Sequence, residues 1–256
     1  MDLGLRGRIA LVAGASSGLG LAIAKELAAE GADVAITSRD ETRIRAAERE
    51  VADAGPGRVR STALDVRDTA AVEAWVADTA EALGGAHIMV ANAGGPKPGM
   101  ASEFGVEDYR EAVELNLLSS IAMTTAVLPH MRDAGWGRLL YVTSVAVKQP
   151  IPHLALSNTA RAGVLGYAKS LVHDLGDAGI TVNVLAPGLT RTARLESMAG
   201  DDVEAGIASM AKSVPLGRVG SPEEFAAAAT FLASERASFI TGTVLQIDGG
   251  ATASLS

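Results

Sequence analysis

The spacing Gly14-x-x-x-Gly18-x-Gly20 suits the holding of an anion. Glycines let a backbone turn sharply and come close to a pyrophosphate, and a helix starting there offers free N–H groups and a positive dipole end. Ser16, Ser17 and Leu19 occupy the same loop and join it as expected cofactor contacts. Further on, Ser38-Arg39 offers a hydroxyl and a guanidinium at a position where many NAD binders carry an acid. That pair can hold a ribose 2′-phosphate, which a carboxylate would repel, so NADP(H) is expected in preference to NAD(H). Asp65-Val66 sets a carboxylate where it can accept from an adenine amino group, or else cap the following helix. Asn92-Ala93-Gly94-Gly95 is small enough for a ribose to lie against its backbone, and the Asn amide can tie two strand ends together. Asn116, a polar residue inside Leu115–Leu118, must find partners either in the protein or in a water at the site. Ser144 follows another apolar run and completes the set.

Strands and helices in alternation must position these residues. The apolar run Ile9–Ala13 reads as a strand, and Leu19, Ile23 and Leu27 place a row at helical spacing behind the glycines, with Gly31 as a C-cap. Further strands are expected at Ala32–Ser38, Val59–Leu64, Ile88–Ala91, Arg138–Thr143, Val182–Leu185 and Val244–Ile247. Helices are expected through Glu41–Ala54, around Val72, Trp75 and Val76, from Tyr109 to His130, and from Ser221-Pro222, where a cap precedes proline at the first helical position. The intervening helices are long enough for crossovers, so the expected fold is α/β. It is a single Rossmann-type domain over residues 1–256, with a doubly wound parallel sheet of about seven strands and helices on both faces. Ligands in such sheets bind outside the carboxyl ends of the strands, which gathers the glycine loop, Asn92 and Ser144 into one crevice. The 193–219 segment, with Leu195, Met198 and Met210, is the expected substrate lid.

Bulk composition narrows the function classes. Apolar residues make up 48% and charged residues 20% of 256, as in globular proteins. Basic residues number 22 against 30 acidic, a net charge of −8 with no basic block, which speaks against nucleic acid and anionic membrane as partners. The absence of cysteine excludes thiol catalysis and a cysteine-ligated metal, and no metal site is expected. No run of the ~18 apolar residues needed for a membrane helix is evident, and the N-terminal stretch lacks the long apolar core of a targeting signal. A soluble cytoplasmic protein is the expectation.

In combination the motifs resemble those of the short-chain dehydrogenase/reductase family, in the manner of the 3-oxoacyl-acyl-carrier-protein reductases, across essentially the whole chain. They are the glycine spacing, Asn92-Ala-Gly94, Asn116, Ser144, Pro187-Gly188 with Thr190 and Thr192, and Thr241-Gly242 with Asp248-Gly-Gly250. The resemblance implies hydride transfer between a nicotinamide cofactor and a small carbonyl or alcohol substrate. It also implies that Pro187–Thr192 meets the carboxamide, and that the chain forms a homo-oligomer, a dimer or a homotetramer. The family's proton donor is a Tyr thirteen residues after the Ser, with a Lys four further on. Here those positions hold Ser157 and Arg161, and none of Tyr109, Tyr141 and Tyr167 is followed by Lys at that spacing. An aliphatic alcohol is a far weaker acid than a phenol near ~10, and a serine stops about a ring's length short, ~4 Å. Arg161 keeps the cation and can bond ribose hydroxyls but will not release a proton. His153, four residues before Ser157, is the alternative acid, with Lys148 behind it. Three functions remain open: a reductase with an altered proton source, a nucleotide-binding sensor or partner subunit without turnover, and a redirected lyase or isomerase.

Overall fold

Strand β1 (Ile9–Ala13) is buried at every position, which a strand covered on both faces requires. Its side chains alternate between two cores, Ala10 and Val12 in one and Ile9, Leu11 and Ala13 in the other. The computed structural model describes residues 1–254 and is built outward from this strand. Helix α1 (Gly18–Ala29) follows it, then β2 (Asp33–Ser38), α2 (Glu41–Ala52), β3 (Val59–Ala63), α3 (Thr69–Leu83) and β4 (Ile88–Ala91). The second half runs α4 (Val106–Val113), a π-helical turn (Glu114–Leu118), α5 (Ser119–Ala134), β5 (Gly137–Val142), α6 (Ala155–Leu175) and β6 (Ile180–Pro187). The chain closes with α7 (Ala193–Met198), α8 (Val203–Ala211), α9 (Pro222–Ala233) and β7 (Val244–Ile247).

All neighbouring strands are parallel, in the order β3-β2-β1-β4-β5-β6-β7. The order reverses between β1 and β4, so the chain leaves the sheet in opposite directions there and a crevice opens at the strand tips. Ile23 and Leu27 of α1, Ile44 of α2 and Phe225 of α9 fill the core on one face. Trp75 of α3, Met123 and Val127 of α5 and Val164 of α6 fill the other. Each such side chain contributes roughly 1.5–3 kcal/mol on burial, and together they hold the strand tips in register. The expected α/β class, strand number and two-faced helical cover are therefore those of the structure.

The run Val106–Ala134 departs from expectation, being long and apolar enough by composition to cross a bilayer. It instead buries Met123, Val127 and Met131 against the sheet, and its Ser119, Ser120 and Thr124 hydroxyls bond to carbonyls one turn back. The helix through 41–54 and the strand through 59–64 end one or two residues early, at Ala52 and Ala63, whereas β6 extends two residues earlier and two later than Val182–Leu185.

Candidate functional site

The crevice narrows into a cavity of about 630 Å³ between the tips of β1, β4, β5 and β6 and helix α7. Gly14, Ser17, Gly18 and Leu19 form one wall, and Asn92, Ala93 and Gly94 the next. Ser144, Ser157 and Arg161 lie on a third, and Pro187, Gly188, Thr190 and Thr192 on a fourth. Elements far apart in the sequence thus meet as the family resemblance implied.

The glycine loop is held by Asn92, whose Nδ2 donates to the carbonyls of Ala13 (3.1 Å) and Gly14 (3.2 Å). Gly14 has a φ of +59°, and a Cβ there would lie 2.8 Å from that same amide nitrogen. A Cβ on Gly20 would strike the Gly14 carbonyl oxygen. Both positions accept only glycine, which is why the first crossover can turn so tightly. Ser17 is the N-cap of α1 yet makes no side-chain cap bond, unlike Asp40, Asp68 and Ser221 at the heads of α2, α3 and α9. Its hydroxyl instead accepts a bond from Arg43 Nη2 at 3.2 Å. Above Gly94 an added Cβ would meet nothing within 4 Å, so the space expected for a ribose is open.

At the adenosine end, Ala15 N–H bonds the Thr37 carbonyl and Leu64 N–H bonds the Ser38 carbonyl, drawing the tips of β2 and β3 beside the glycine loop. Arg39 is exposed here, while the Ser38 hydroxyl is enclosed and has no partner among the described residues. Asp65 does not cap α3. That role belongs to Asp68, whose carboxylate accepts from Ala71 N–H, while Asp65 pairs with Arg67 at 2.5 Å. The Arg67 guanidinium holds the Asp65 carboxyl below its ordinary value, against a smaller opposing effect of burial. Val66 is buried, and Ser16, Ser38, Arg39, Asp65 and Val66 all lie outside the cavity wall. Ser17 and Arg43 are joined at this end and Arg39 is exposed, whereas the Ser38 hydroxyl, expected beside Arg39 at the 2′-phosphate, is enclosed. Arg43 was missed. Its trace in the sequence is a cation in the first turn of α2, where the helix dipole disfavours positive charge.

The chemical end is built differently. Asn116 sits in the π-helical turn, 3% exposed, and donates through Nδ2 to the Gly94 carbonyl at 3.1 Å. Its Oδ1 has no partner, an orphan acceptor that a water would satisfy. Asn116 thus stands behind the wall, supporting Gly94, and does not line the cavity. Ser144 opens a short 3₁₀ turn (Val145–Val147) and its Oγ accepts from Ala146 N–H at 3.2 Å, leaving the hydroxyl hydrogen free. Ser157 and Arg161 share a face of α6 at one-turn spacing, and Arg161 Nε donates to Ser157 Oγ at 3.2 Å. Arg161 Nη1 donates to the carbonyls of Val142 and Thr143, both at 2.8 Å, which fixes the guanidinium beside Ser144. Burial pulls the Arg161 guanidinium down to about 10, with a further lowering from the charge of Arg194. At neutral pH it remains a cation.

His153 is exposed, has a φ of +60° and is not part of the cavity wall; its backbone carbonyl accepts from Gly99 N–H. The half-buried Lys148 is likewise outside. The structure brings neither alternative acid to the site, because the turn before α6 carries His153 outward. In the expected lid, Leu195 and Met198 line the cavity but Met210 does not. Arg191 joins α7 to α8 through Glu196 and Glu204.

The family model described as Enoyl-(Acyl carrier protein) reductase matches residues 14–252. The 3-oxoacyl-[acyl-carrier-protein] reductase FabG of Escherichia coli is 36% identical over 248 residues, covering 97% of this chain and 98% of that protein. The short-chain reductase protein NovJ of Streptomyces niveus is 34% identical over 245 residues, covering 94% and 93%. Among solved structures, L-sorbose reductase from Gluconobacter frateurii, complexed with NADPH and L-sorbose, superposes with a TM-score of 0.96 over 100% of both chains at 32% identity. With matches spanning nearly its whole length, the chain belongs to the short-chain dehydrogenase/reductase family.

Proposed function

We propose that the protein is an NADP(H)-dependent oxidoreductase acting on a small carbonyl/alcohol pair, with water as the proton source in place of a tyrosine. The observation that carries this reading is the open cavity in which the glycine loop, Ser144 and the Ser157–Arg161 pair face one another. The NADPH-bound sorbose reductase and the 3-oxoacyl reductases support the reaction class.

When bound, the reduced cofactor supplies hydride to the substrate carbonyl carbon. The chain's own residues then have three tasks. Gly14–Gly20 and the free first turn of α1 bind pyrophosphate, while Ser17, Arg39 and Arg43 recognise the 2′-phosphate. Ser144 donates its hydroxyl hydrogen to the carbonyl oxygen and so draws off charge as it develops. Arg161, fixed by two backbone carbonyls, offers its remaining Nη2 donors to a ribose hydroxyl or to the developing negative oxygen. The open cavity beside Ser157 admits a water between that residue and the substrate, and the water passes a proton to the oxygen while taking one from the solvent behind it. Loss of a positioned general acid costs about 10²–10⁴-fold, which leaves a slow but real turnover supported by orientation and electrostatics.

Titration of the chain with NADPH and NADH by fluorescence, followed by an NADPH-oxidation screen of ketones, acyl thioesters and sugars, tests the reading. Tighter binding of NADPH with turnover on one class is expected. Tight binding without turnover on any class would eliminate the oxidoreductase assignment, and tighter binding of NADH would eliminate the 2′-phosphate assignment.

A further inference from the structure

The cavity has one-sided electrostatics. Arg161 and Arg194 are the only charged side chains among the described residues lining it, and no Asp or Glu is present. Arg161 is 8% exposed, and among the described residues it has no ion pair; the bonds of its Nε and Nη1 go to neutral oxygens. Its Nη2 has no partner among the described residues while the residue opens onto the cavity. A buried cation without a counter-charge is costly, and proteins ordinarily place a carboxylate beside it.

Arg194 adds a second cation from the opposite wall. It lies in the first turn of α7, against the helix dipole, where a cation is disfavoured. Its guanidinium packs over Gly95, so closely that any side chain at position 95 would displace it. Nη2 donates to the Pro96 carbonyl at 3.3 Å, and again no acidic group pairs with it. The charges of Arg161 and Arg194 also disfavour one another, as the lowering of Arg161 records. Two guanidinia without an acidic partner among the described residues, that of Arg161 buried and that of Arg194 exposed, thus face one space whose remaining lining is neutral, beside the Ser144 hydroxyl.

We propose that this end of the cavity is a carboxylate-binding subsite, and that the substrate is a short oxo acid, reduced at its carbonyl to the hydroxy acid while its carboxylate pairs with Arg194 in the field of Arg161. The geometry suits this class. Arg161 is tied to the carbonyls of Val142 and Thr143, immediately before Ser144, so an anion one or two bonds from the reacting carbonyl falls between the two arginines. Guanidinium and carboxylate match as planar bidentate partners, and Leu195 and Met198 add apolar surface beside the pair. The proposal rests on the hydride-transfer reading given above, but the subsite itself is present in the chain without cofactor.

Matched acids and methyl esters test it: benzoylformate, phenylpyruvate and acetoacetate, each against its ester. Calorimetry on the cofactor-free and the NADP⁺-loaded chain gives affinities, and NADPH oxidation gives kcat/KM. At least one acid is expected to bind at least about tenfold more tightly than its ester, with a like ratio in kcat/KM. Arg194→Met removes the preference and Arg194→Lys retains part of it. Equal affinity for acid and ester in all three pairs overturns the proposal, even where NADPH binding and ester turnover leave the oxidoreductase reading intact. So does an Arg194→Met variant that loses NADP⁺ affinity while its acid-to-ester ratio is unchanged, which would assign Arg194 to a cofactor phosphate. An acid preference without turnover upholds the subsite and defeats the hydride-transfer reading alone.

Discussion

Two arginines of this protein are deeply buried, and they are treated in opposite ways. Arg138, at the start of β5, is 1% exposed, and its guanidinium stacks on Trp136 with 4.1 Å to the ring centroid. It donates to the carbonyls of Ser234 and Gly137 and faces Glu235 at 3.9 Å. Arg161, at the other end of the sheet, is anchored equally well by carbonyls but has no carboxylate and no ring. Burial lowers both to about 10, with Glu235 opposing the shift at Arg138 and Arg194 adding to it at Arg161. One cation shares the Glu235 carboxylate with Arg8, stacks on a ring and serves packing. The other is left uncompensated where a ligand arrives, so its desolvation is set against interactions made only when the cavity is filled.

The largest effect that follows concerns Arg161. Arg161→Met is expected to lower kcat/KM by about 10³-fold, the scale of losing a preorganised donor at a developing charge, read by NADPH oxidation on the best substrate of the screen. Arg138→Met is expected to leave kcat/KM within about twofold while lowering stability by about 3 kcal/mol, since it strips the partners of two buried carbonyls and a stacked ring. Denaturant unfolding of the two variants checks the contrast. Equal losses of activity in both would break the comparison, because Arg161 would then be no more than a second structural cation.

What the sequence revealed follows the same division. The nucleotide end depends on backbone: Gly14 and Gly20 can be read because their positions tolerate no Cβ, and β1 because an all-apolar run of that length must be covered on both faces. β4 and β7 match their expected bounds residue for residue. The chemical end depends on side-chain direction, which spacing does not encode. His153 stands one turn from Ser157 in sequence, but a positive φ turns it outward. Arg194 and Arg43 carry only a weak trace, a cation in a helix's first turn. The missing counter-ion of Arg161 is legible only once all the walls are assembled.

A smaller effect separates the two ends by pH. Ser157 does not titrate in the working range, and Arg161, lowered to about 10, still holds its proton at every pH below that value. The kcat profile is therefore expected to be flat from about pH 6 to 9 and to fall only as pH rises through about 10 and the guanidinium discharges. The double variant Ser157→Tyr with Arg161→Lys restores a titrating phenol, and a new limb should then appear below ~10, toward neutrality, where activity falls as the phenol loses its proton. A wild-type profile with that limb already present would mean that another acid lines the site.

The smallest expected effect is at His153. His153 lies on the exposed turn ahead of α6, outside the cavity wall, with its backbone engaged to Gly99. His153→Ala should accordingly leave kcat and its pH profile within about twofold. A tenfold loss would mean that the turn closes over the substrate and carries the ring inward. Arg161 would then have a titrating partner after all, and its contrast with Arg138 would rest on a movement of the turn before α6.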